Sequence, residues 1–269
     1  QRTLTGTTTG NYFGRSVASA GDVNGDGYGD LIVGATTTEL SGRPGAGAAH
    51  VYYGSAAGLP STPQRTLTSA ATGDYFGWSV AGAGDVNGDG YADVVVGAYQ
   101  ADPGSRSNAG AAYVYYGSAA GLSSMPQRTL EGATASDYFG RSVAGAGDVN
   151  GDGYADVLVG ADGADPSGRS DAGVAYVYLG GAAGLSATTH RAFEGAAMDD
   201  NFGYSVAGAG DINGDGYADV LVGAYTADPN SRTDAGAVYV ALGGSTGLAT
   251  TPPRPRTRFP GGDYLAPRV

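Results

Sequence analysis

The sequence predicts an all-β protein: a β-propeller built from four 63-residue, four-stranded blades, either closed as a four-bladed ring or part of a larger one. Three observations predict it. One unit repeats four times along the 269 residues, each copy divides into four short strands, and no segment carries a convincing helical period.

The repeat is read from its landmarks. GDVNGDGYGD begins at Gly21, GDVNGDGYAD at Gly84 and Gly147, and GDINGDGYAD at Gly210, a constant step of 63 residues. Phe-Gly keeps that step at Phe13-Gly14, Phe76-Gly77, Phe139-Gly140 and Phe202-Gly203. Gln-Arg-Thr-Leu opens at Gln1, Gln64 and Gln127, and His190-Arg191-Ala192-Phe193 is its fourth version. The units therefore run about 1–63, 64–126, 127–189 and 190–252. Residues 253–269 read as a degenerate partial fifth repeat or a C-terminal tail, since Gly262-Asp263-Tyr264 stands where Gly73-Asp74-Tyr75 recurs, but Leu265-Ala266 replaces Phe-Gly.

Within a unit the first strand is Arg15 to Ala20, with copies at Trp78, Arg141 and Tyr204. The second is the apolar run Leu31-Ile32-Val33, repeated at Val94, Val157 and Val220; so short an unbroken run suits a strand buried on both faces. The third is Ala48 to Tyr53 and its copies, rich in β-branched and aromatic residues. The fourth is Gln64 to Thr68. A stacked β-solenoid is the rival architecture, but its coils run about 20–30 residues, shorter than this unit. Gln1 to Thr5 reads as an outer fourth strand with no blade of its own. It competes with Arg254 to Arg258 to complete the last blade.

Composition narrows the functional classes. Fifty Gly residues without a three-residue period imply many tight turns. There is no Cys, so neither disulfides nor thiol chemistry contribute. The net charge of −12 disfavours nucleic acid, whose phosphates need a basic surface. All 14 basic residues are Arg. No run approaches the roughly 20 apolar residues of a membrane helix. No leader peptide stands at the start, and a chain that opens on Gln1 is expected to be a processed or excised piece.

The chemistry lies in the Asp-rich loop between the first and second strands. In the first copy Asp22, Asn24 and Asp26 place hard oxygen donors at positions 1, 3 and 5, Tyr28 offers a backbone carbonyl at 7, and Asp30 a carboxylate at 9. That is the donor pattern Ca²⁺ takes, with Gly27 permitting the sharp turn. The other copies are Asp85, Asn87, Asp89, Tyr91, Asp93; Asp148, Asn150, Asp152, Tyr154, Asp156; and Asp211, Asn213, Asp215, Tyr217, Asp219. Asp, Asn and Gly also make ordinary turns. Three carboxylates crowded into nine residues, four times over, point instead to a cation. The loops are not EF-hands: Val33, Val96, Val159 and Val222 stand where the bidentate Glu would be. Four Ca²⁺ per chain would bring the formal charge from −12 to −4. Mg²⁺ demands rigid octahedral geometry, and Zn²⁺ lacks Cys or clustered His. Ions that bind only the folded state would stabilise it, and abundant calcium outside cells would keep even weak sites filled.

These residues resemble the FG-GAP repeat family, whose blades build the propeller of integrin α subunits and of bacterial surface proteins. The resemblance covers about residues 1–252 and rests on Phe-Gly, Ser-Val-Ala, the Asp-x-Asn-x-Asp-Gly-Tyr-x-Asp loop and Val-Gly-Ala. The family's Gly-Ala-Pro loses its Pro to Thr36, Tyr99, Asp162 and Tyr225. The resemblance implies calcium-ligand roles for the Asp and Asn side chains and Tyr carbonyls named above. It also implies a ligand face at the opposite end of the blades. There stand Tyr12, Tyr75 and Tyr138, and the pairs Asp102 and Arg106, Asp165 and Arg169, and Asp228 and Arg232.

The expected function is a calcium-stabilised, non-catalytic adhesion or ligand-binding module, extracellular or at the cell surface. Its expected partner is a carbohydrate or an extracellular protein. A structural segment of a larger surface protein or filament, self-associating to complete a ring, is the second reading. A polysaccharide-active enzyme is the third: it would break repeat symmetry with a unique acid–base cluster, and none is visible. His50 and His190 occupy non-equivalent repeat positions and carry no such role, and Trp78 is an aromatic at a position held elsewhere by Arg15, Arg141 and Tyr204.

Overall fold

The computed structural model describes residues 2–40, 42–69 and 71–249. Blade 1 consists of β1 (Phe13–Gly21), β2 (Asp30–Ala35), β3 (Ala48–Tyr52) and β4 (Arg65–Thr68). Blade 2 consists of β5 (Ser79–Gly84), β6 (Asp93–Ala98), β7 (Ala111–Tyr115) and β8 (Arg128–Glu131). Blade 3 is β9 (Ser142–Gly147), β10 (Asp156–Ala161), β11 (Val174–Tyr178) and β12 (Arg191–Glu194). Blade 4 has β13 (Phe202–Gly210), β14 (Asp219–Ala224) and β15 (Ala237–Ala241), three strands among the described residues. Every sheet is an antiparallel meander in chain order.

The expected strands thus form, with small changes of length. Blades 1, 2 and 3 each take their fourth strand from the opening of the next repeat, so the blades are staggered against the sequence units. The run Asp93–Ala98 is buried at every position, as a strand covered on both faces must be. In the fourth strands one residue points inward: Leu67, Leu130 and Phe193. The only helical segments among the described residues are short 3₁₀ turns at Pro103–Ser105, Pro166–Gly168 and Pro229–Ser231. Arg2–Thr5 takes no strand pairing, contrary to expectation. Residues 253–269, including Arg254 to Arg258, lie outside the described residues.

Three hydrophobic cores lie at the three joints between consecutive blades. The first joins Ile32, Val51 and Leu67 of blade 1 to Phe76, Val94 and Val96 of blade 2. The second joins Val95, Val114 and Leu130 to Phe139, Val157 and Val159. The third joins Leu158, Val177 and Phe193 to Phe202, Val220 and Val222. Glycine lets the sheets approach. A Cβ on Gly97 of β6 would overlap the carbonyl of Gly140 in the next blade.

Blades 1 and 4 do not meet in this way. The innermost strands pack as β1–β5, β5–β9 and β9–β13, with no comparable packing of β13 on β1. Val17 on β1 is 64 % exposed, whereas its counterparts Val80, Val143 and Val206 are each 7 % exposed. Of the two expected alternatives, a closed four-bladed ring and part of a larger one, the described residues form an open arc of four propeller blades.

Candidate metal centre

All four Asp-rich loops join the first and second strands of a blade and repeat one hydrogen-bond pattern. Asp85 Oδ1 accepts from the amides of Gly88 and Asp89 at 2.6 and 3.1 Å, and its Oδ2 accepts from Gly90 at 2.8 Å. Asn87 Oδ1 accepts from Asp89 N, and Asp89 Oδ1 from Tyr91 N. Asp93 lies beneath, fully buried at the start of β6, where its two oxygens accept from Val86 N at 2.9 Å and Gly117 N at 2.9 Å. It thereby ties the metal-type loop to the chain leaving β7. Asp22 with Asp30, Asp148 with Asp156, and Asp211 with Asp219 reproduce the arrangement.

The electrostatics of the loop are unbalanced. Burial lifts the Asp93 carboxyl to about 7; two amide bonds oppose the shift, and the charges of Asp89 and Asp85 add to it. Asp156 is pushed up to about 6 for the same reasons, burial first. Asp30 is also raised, burial leading. At the exposed position 1, the Gly216 amide and its neighbours hold Asp211 below the usual carboxylate range. Each loop therefore sets a buried carboxylate below two others. The charged neighbours that act on Asp93 are themselves acidic.

That donor set fits a hard cation. Asp85, Asn87, Asp89, the Tyr91 carbonyl and Asp93 are all-oxygen ligands, and carboxylate oxygens bonded to one amide retain lone pairs. In the described residues the side chains are engaged with the loop's own amides. No group of three or more His, Asp or Glu converges there at metal-binding distance.

Consecutive loops also touch. The Ala92 amide donates to the Asp22 carbonyl at 3.0 Å, Ala155 to Asp85 at 2.9 Å and Ala218 to Asp148 at 2.9 Å. The Tyr91 ring packs so closely on Gly25 that a Cβ there would lie 2.6 Å from its Cε1; Tyr154 on Gly88 and Tyr217 on Gly151 repeat the contact. The metal-type loops thus form a continuous ladder along one end of the arc.

At the other end, the residues expected to face a ligand have partners of their own. Asp102 accepts from Asn108 N at 2.7 Å, Asp165 from Asp171 N at 2.8 Å and Asp228 from Asp234 N at 2.7 Å. Arg106 pairs with Glu131 at 3.0 Å and Arg169 with Glu194 at 2.8 Å, so neither pairs with its neighbouring Asp. Tyr12 is 66 % exposed, while Tyr75 and Tyr138 join an aromatic cluster. Its centre is Tyr99, 4.5 Å from the Trp78 ring. Arg15 lies over Trp78 at 3.8 Å, and Arg141 lies over Tyr99, Tyr138 and Tyr204. Arg141 also pairs with buried Asp162 at 3.1 Å. Burial drives Asp162 up to about 6 against the pull of Arg141. The column Arg15, Trp78, Arg141, Tyr204 was the available signal for this stack. Sequence reasoning missed it because Arg15, Arg141 and the Tyr138 ring reach Trp78 and Tyr99 from the neighbouring blades.

The FG-GAP repeat model matches residues 13–52, 76–115, 139–178 and 202–241, one match to each blade. The chain belongs to the FG-GAP repeat family. It is similar to integrin alpha-V of Gallus gallus, with 33 % identity over 226 residues, covering 81 % of this chain and 20 % of that protein. Integrin alpha-5 of Xenopus laevis shares 36 % identity over 162 residues, 57 % of this chain and 15 % of that protein. Integrin alpha-IIb of Mus musculus shares 37 % over 171 residues, 61 % and 16 % respectively. The chain thus spans a fifth or less of the length of these relatives. No helix among the described residues is long and apolar enough to cross a membrane.

Proposed function

We propose that this FG-GAP chain is a calcium-stabilised, non-catalytic ligand-binding module displayed outside the cell, with about four Ca²⁺ per chain. The observation that carries the reading is the buried carboxylate at position 9 of every loop. Asp93 and Asp219 are 0 % exposed, the charges of Asp89 and Asp85 oppose ionisation of Asp93, and a divalent cation held by Asp85, Asn87, Asp89, the Tyr91 carbonyl and Asp93 would neutralise the group. The bound ion would supply charge compensation and rigidity; the loop amides, which already hold Asp85 and Asp89 in place, pre-organise the ligands. Likeness to integrin α subunits supports an extracellular or cell-surface setting and an adhesive role.

The face opposite the calcium loops is the proposed ligand face. Its stack of Trp78, Tyr99, Tyr138 and Arg141 offers flat apolar surface beside a cation, which suits a carbohydrate or a protein side chain. The test has two readouts. Metal analysis of the purified chain should find about four calcium ions, and chelation should lower the melting temperature. Retention on arrays of glycans and matrix proteins should fall in Trp78→Ala. Absence of bound calcium together with an unchanged melting temperature would refute the calcium reading.

A further inference from the structure

A polar cleft opens at the outer edge of the first joint. Strand β7 alternates: Ala112 and Val114 face the core shared with blade 3, and Tyr113 and Tyr115 face the core shared with blade 1. Beyond that core the walls of blades 1 and 2 part around a space of about 560 Å³, within the usual range of about 300–1,000 Å³ for small-molecule clefts. Thr68 and Ser69 line it from the end of β4. Asp74, Asp102, Tyr113, Tyr115, Met125 and Glu131 line it from the side of blade 2. Both walls belong to four-stranded blades. None of Trp78, Tyr99, Tyr138 and Arg141 borders the cleft.

The repeat changes at this joint in two places, and both alter the cleft. At the second joint Arg106 is held by Glu131 at 3.0 Å and by the Gly132 carbonyl at 3.2 Å, and its charge acts on Asp137. At the first joint Thr68 and Ser69 stand where Glu131 and Gly132 stand, and Arg43 turns its Nε to the Leu40 carbonyl at 3.2 Å. The Ser69 hydroxyl donates instead to Asp74, the counterpart of Asp137. Asp74 is 5 % exposed and lies on the floor of the cleft, and its carboxylate keeps lone pairs beyond the one that Ser69 takes.

The second change concerns Tyr115. In blade 3 the Thr189 side chain bonds the hydroxyl of the counterpart Tyr178. Pro126 stands in the place of Thr189, and the Tyr115 hydroxyl has no hydrogen-bond partner among the described residues. Tyr115 is only 2 % exposed, so the hydroxyl meets the outside through the cleft it lines. A buried hydroxyl left without a partner is costly, and a ligand that accepts from it removes that cost. Burial raises Tyr115, so the hydroxyl keeps its proton and acts as a donor. Tyr113 beside it is pushed up to about 12, by burial first and then by the charges of Asp74 and Glu131, which shows the two carboxylates close to its ring.

The cleft therefore sets tyrosine donors against carboxylate acceptors in one space. Asp74, Asp102 and Glu131 disfavour an anion. No group of three or more His, Asp or Glu converges as a metal site among the described residues. A sugar hydroxyl donates and accepts at once, so neighbouring hydroxyls of one ring can satisfy a tyrosine and a carboxylate together. Met125, 70 % exposed on the rim, offers apolar surface to the C–H face of such a ring.

We propose that this cleft binds a neutral saccharide unit, with the Tyr115 hydroxyl donating to one sugar hydroxyl and the Asp74 carboxylate accepting from another. The site is separate from the Trp78 stack and does not rest on calcium occupancy.

Saturation-transfer NMR on the full chain tests it, with glucose, galactose, mannose, N-acetylglucosamine, maltose and lactose as probes and glucuronate as the anionic control. At least one neutral sugar should bind, and glucuronate should bind more weakly. Tyr115→Phe, which removes only the hydroxyl, should raise the dissociation constant of that sugar about tenfold. Pro126→Thr, which gives Tyr115 the partner that Tyr178 has, should raise it as well. Trp78→Ala should leave it unchanged. Absence of binding by every neutral probe would overturn the proposal, as would a dissociation constant that neither Tyr115→Phe nor Pro126→Thr moves. Glucuronate binding as tightly as the neutral sugars would overturn the assigned class. Binding lost in Trp78→Ala and kept in Tyr115→Phe would assign the sugar to the aromatic stack, overturning this site while leaving the ligand-face reading intact.

Discussion

Adding one methyl group to each of two equivalent glycines separates a filled joint from an open one. In Gly97→Ala the new Cβ would overlap the Gly140 carbonyl oxygen, with the carbonyl carbon 3.0 Å away. That carbonyl accepts from the Ser79 hydroxyl at 2.8 Å and the Gly140 amide donates to the Gly160 carbonyl at 3.0 Å, so the joint between blades 2 and 3 must open to admit the methyl. Overpacking of this kind costs about 1–3 kcal/mol, and the clash with rigid backbone sets the expectation at the upper end, about 3 kcal/mol. In Gly223→Ala the same methyl meets nothing closer than Ser205 at 3.6 Å. Its strand backbone suits alanine, and the loss of chain freedom in the unfolded state offsets small costs, so the change should stay within about 0.5 kcal/mol. At roughly 2–4 °C per kcal/mol for a chain of this size, Gly97→Ala should melt about 6–12 °C below wild type and Gly223→Ala within about 2 °C. Thermal unfolding by circular dichroism at a dilution that keeps chains apart reads both. Equal losses in the two variants would refute the open arc, since Gly223 would then be covered like Gly97.

The other expectations follow from the loops and cores. Saturating calcium should raise stability by about 2.7 kcal/mol per site at a hundredfold excess over Kd, read as a melting shift that chelator reverses. In the calcium-free chain, Asp93 and Asp156, raised to about 7 and 6 from 3.8, hold protons that the unfolded chain releases. Stability should therefore fall as pH rises from about 4 to 7, giving a higher melting temperature at pH 5 than at pH 8, and calcium should remove that slope. Phe139→Ala, which empties a 1 % exposed position in the second core, should cost about 3–5 kcal/mol in denaturant unfolding. Arg106→Ala breaks a pair whose two side chains are 36 % and 47 % exposed and should cost no more than about 1 kcal/mol.

Much of the fold was legible because its signals are local. The run from Val94 announces a strand buried on both faces, and the Phe-Gly landmarks announce the 63-residue repeat. The Asp-x-Asn-x-Asp spacing announces a loop of oxygen donors between two strands. What the sequence hid depends on contacts between units. Arg106 stands close to Asp102 in the chain, yet it reaches 25 residues on to Glu131 of the fourth strand. Trp78 stands alone of its kind in the sequence, yet Arg15 of the preceding blade and Tyr99 of its own enclose it. Ring closure was undecidable for the same reason. The count of repeats says nothing of the angle between them; the exposure of Val17 and the absence of β13 packing on β1 set blades 1 and 4 apart among the described residues.

The calcium-type loops and the blade joints share atoms, and this changes what a bound ion would stabilise. Within one loop, Asp85 sends its carboxylate to Gly88, Asp89 and Gly90, while its backbone carbonyl accepts Ala155 N from the next blade. Tyr91 donates to Asp89 and presses its ring on Gly25 of the blade before. Fixing Asp85, Asp89 and the Tyr91 carbonyl around a cation would therefore fix the donors and acceptors of two joints at once. Loss of the ion from one loop would loosen both neighbouring joints rather than one hairpin. In an arc whose three cores all lie between blades, stability then resides in the joints, and a bound metal would act on the architecture instead of on a single sheet.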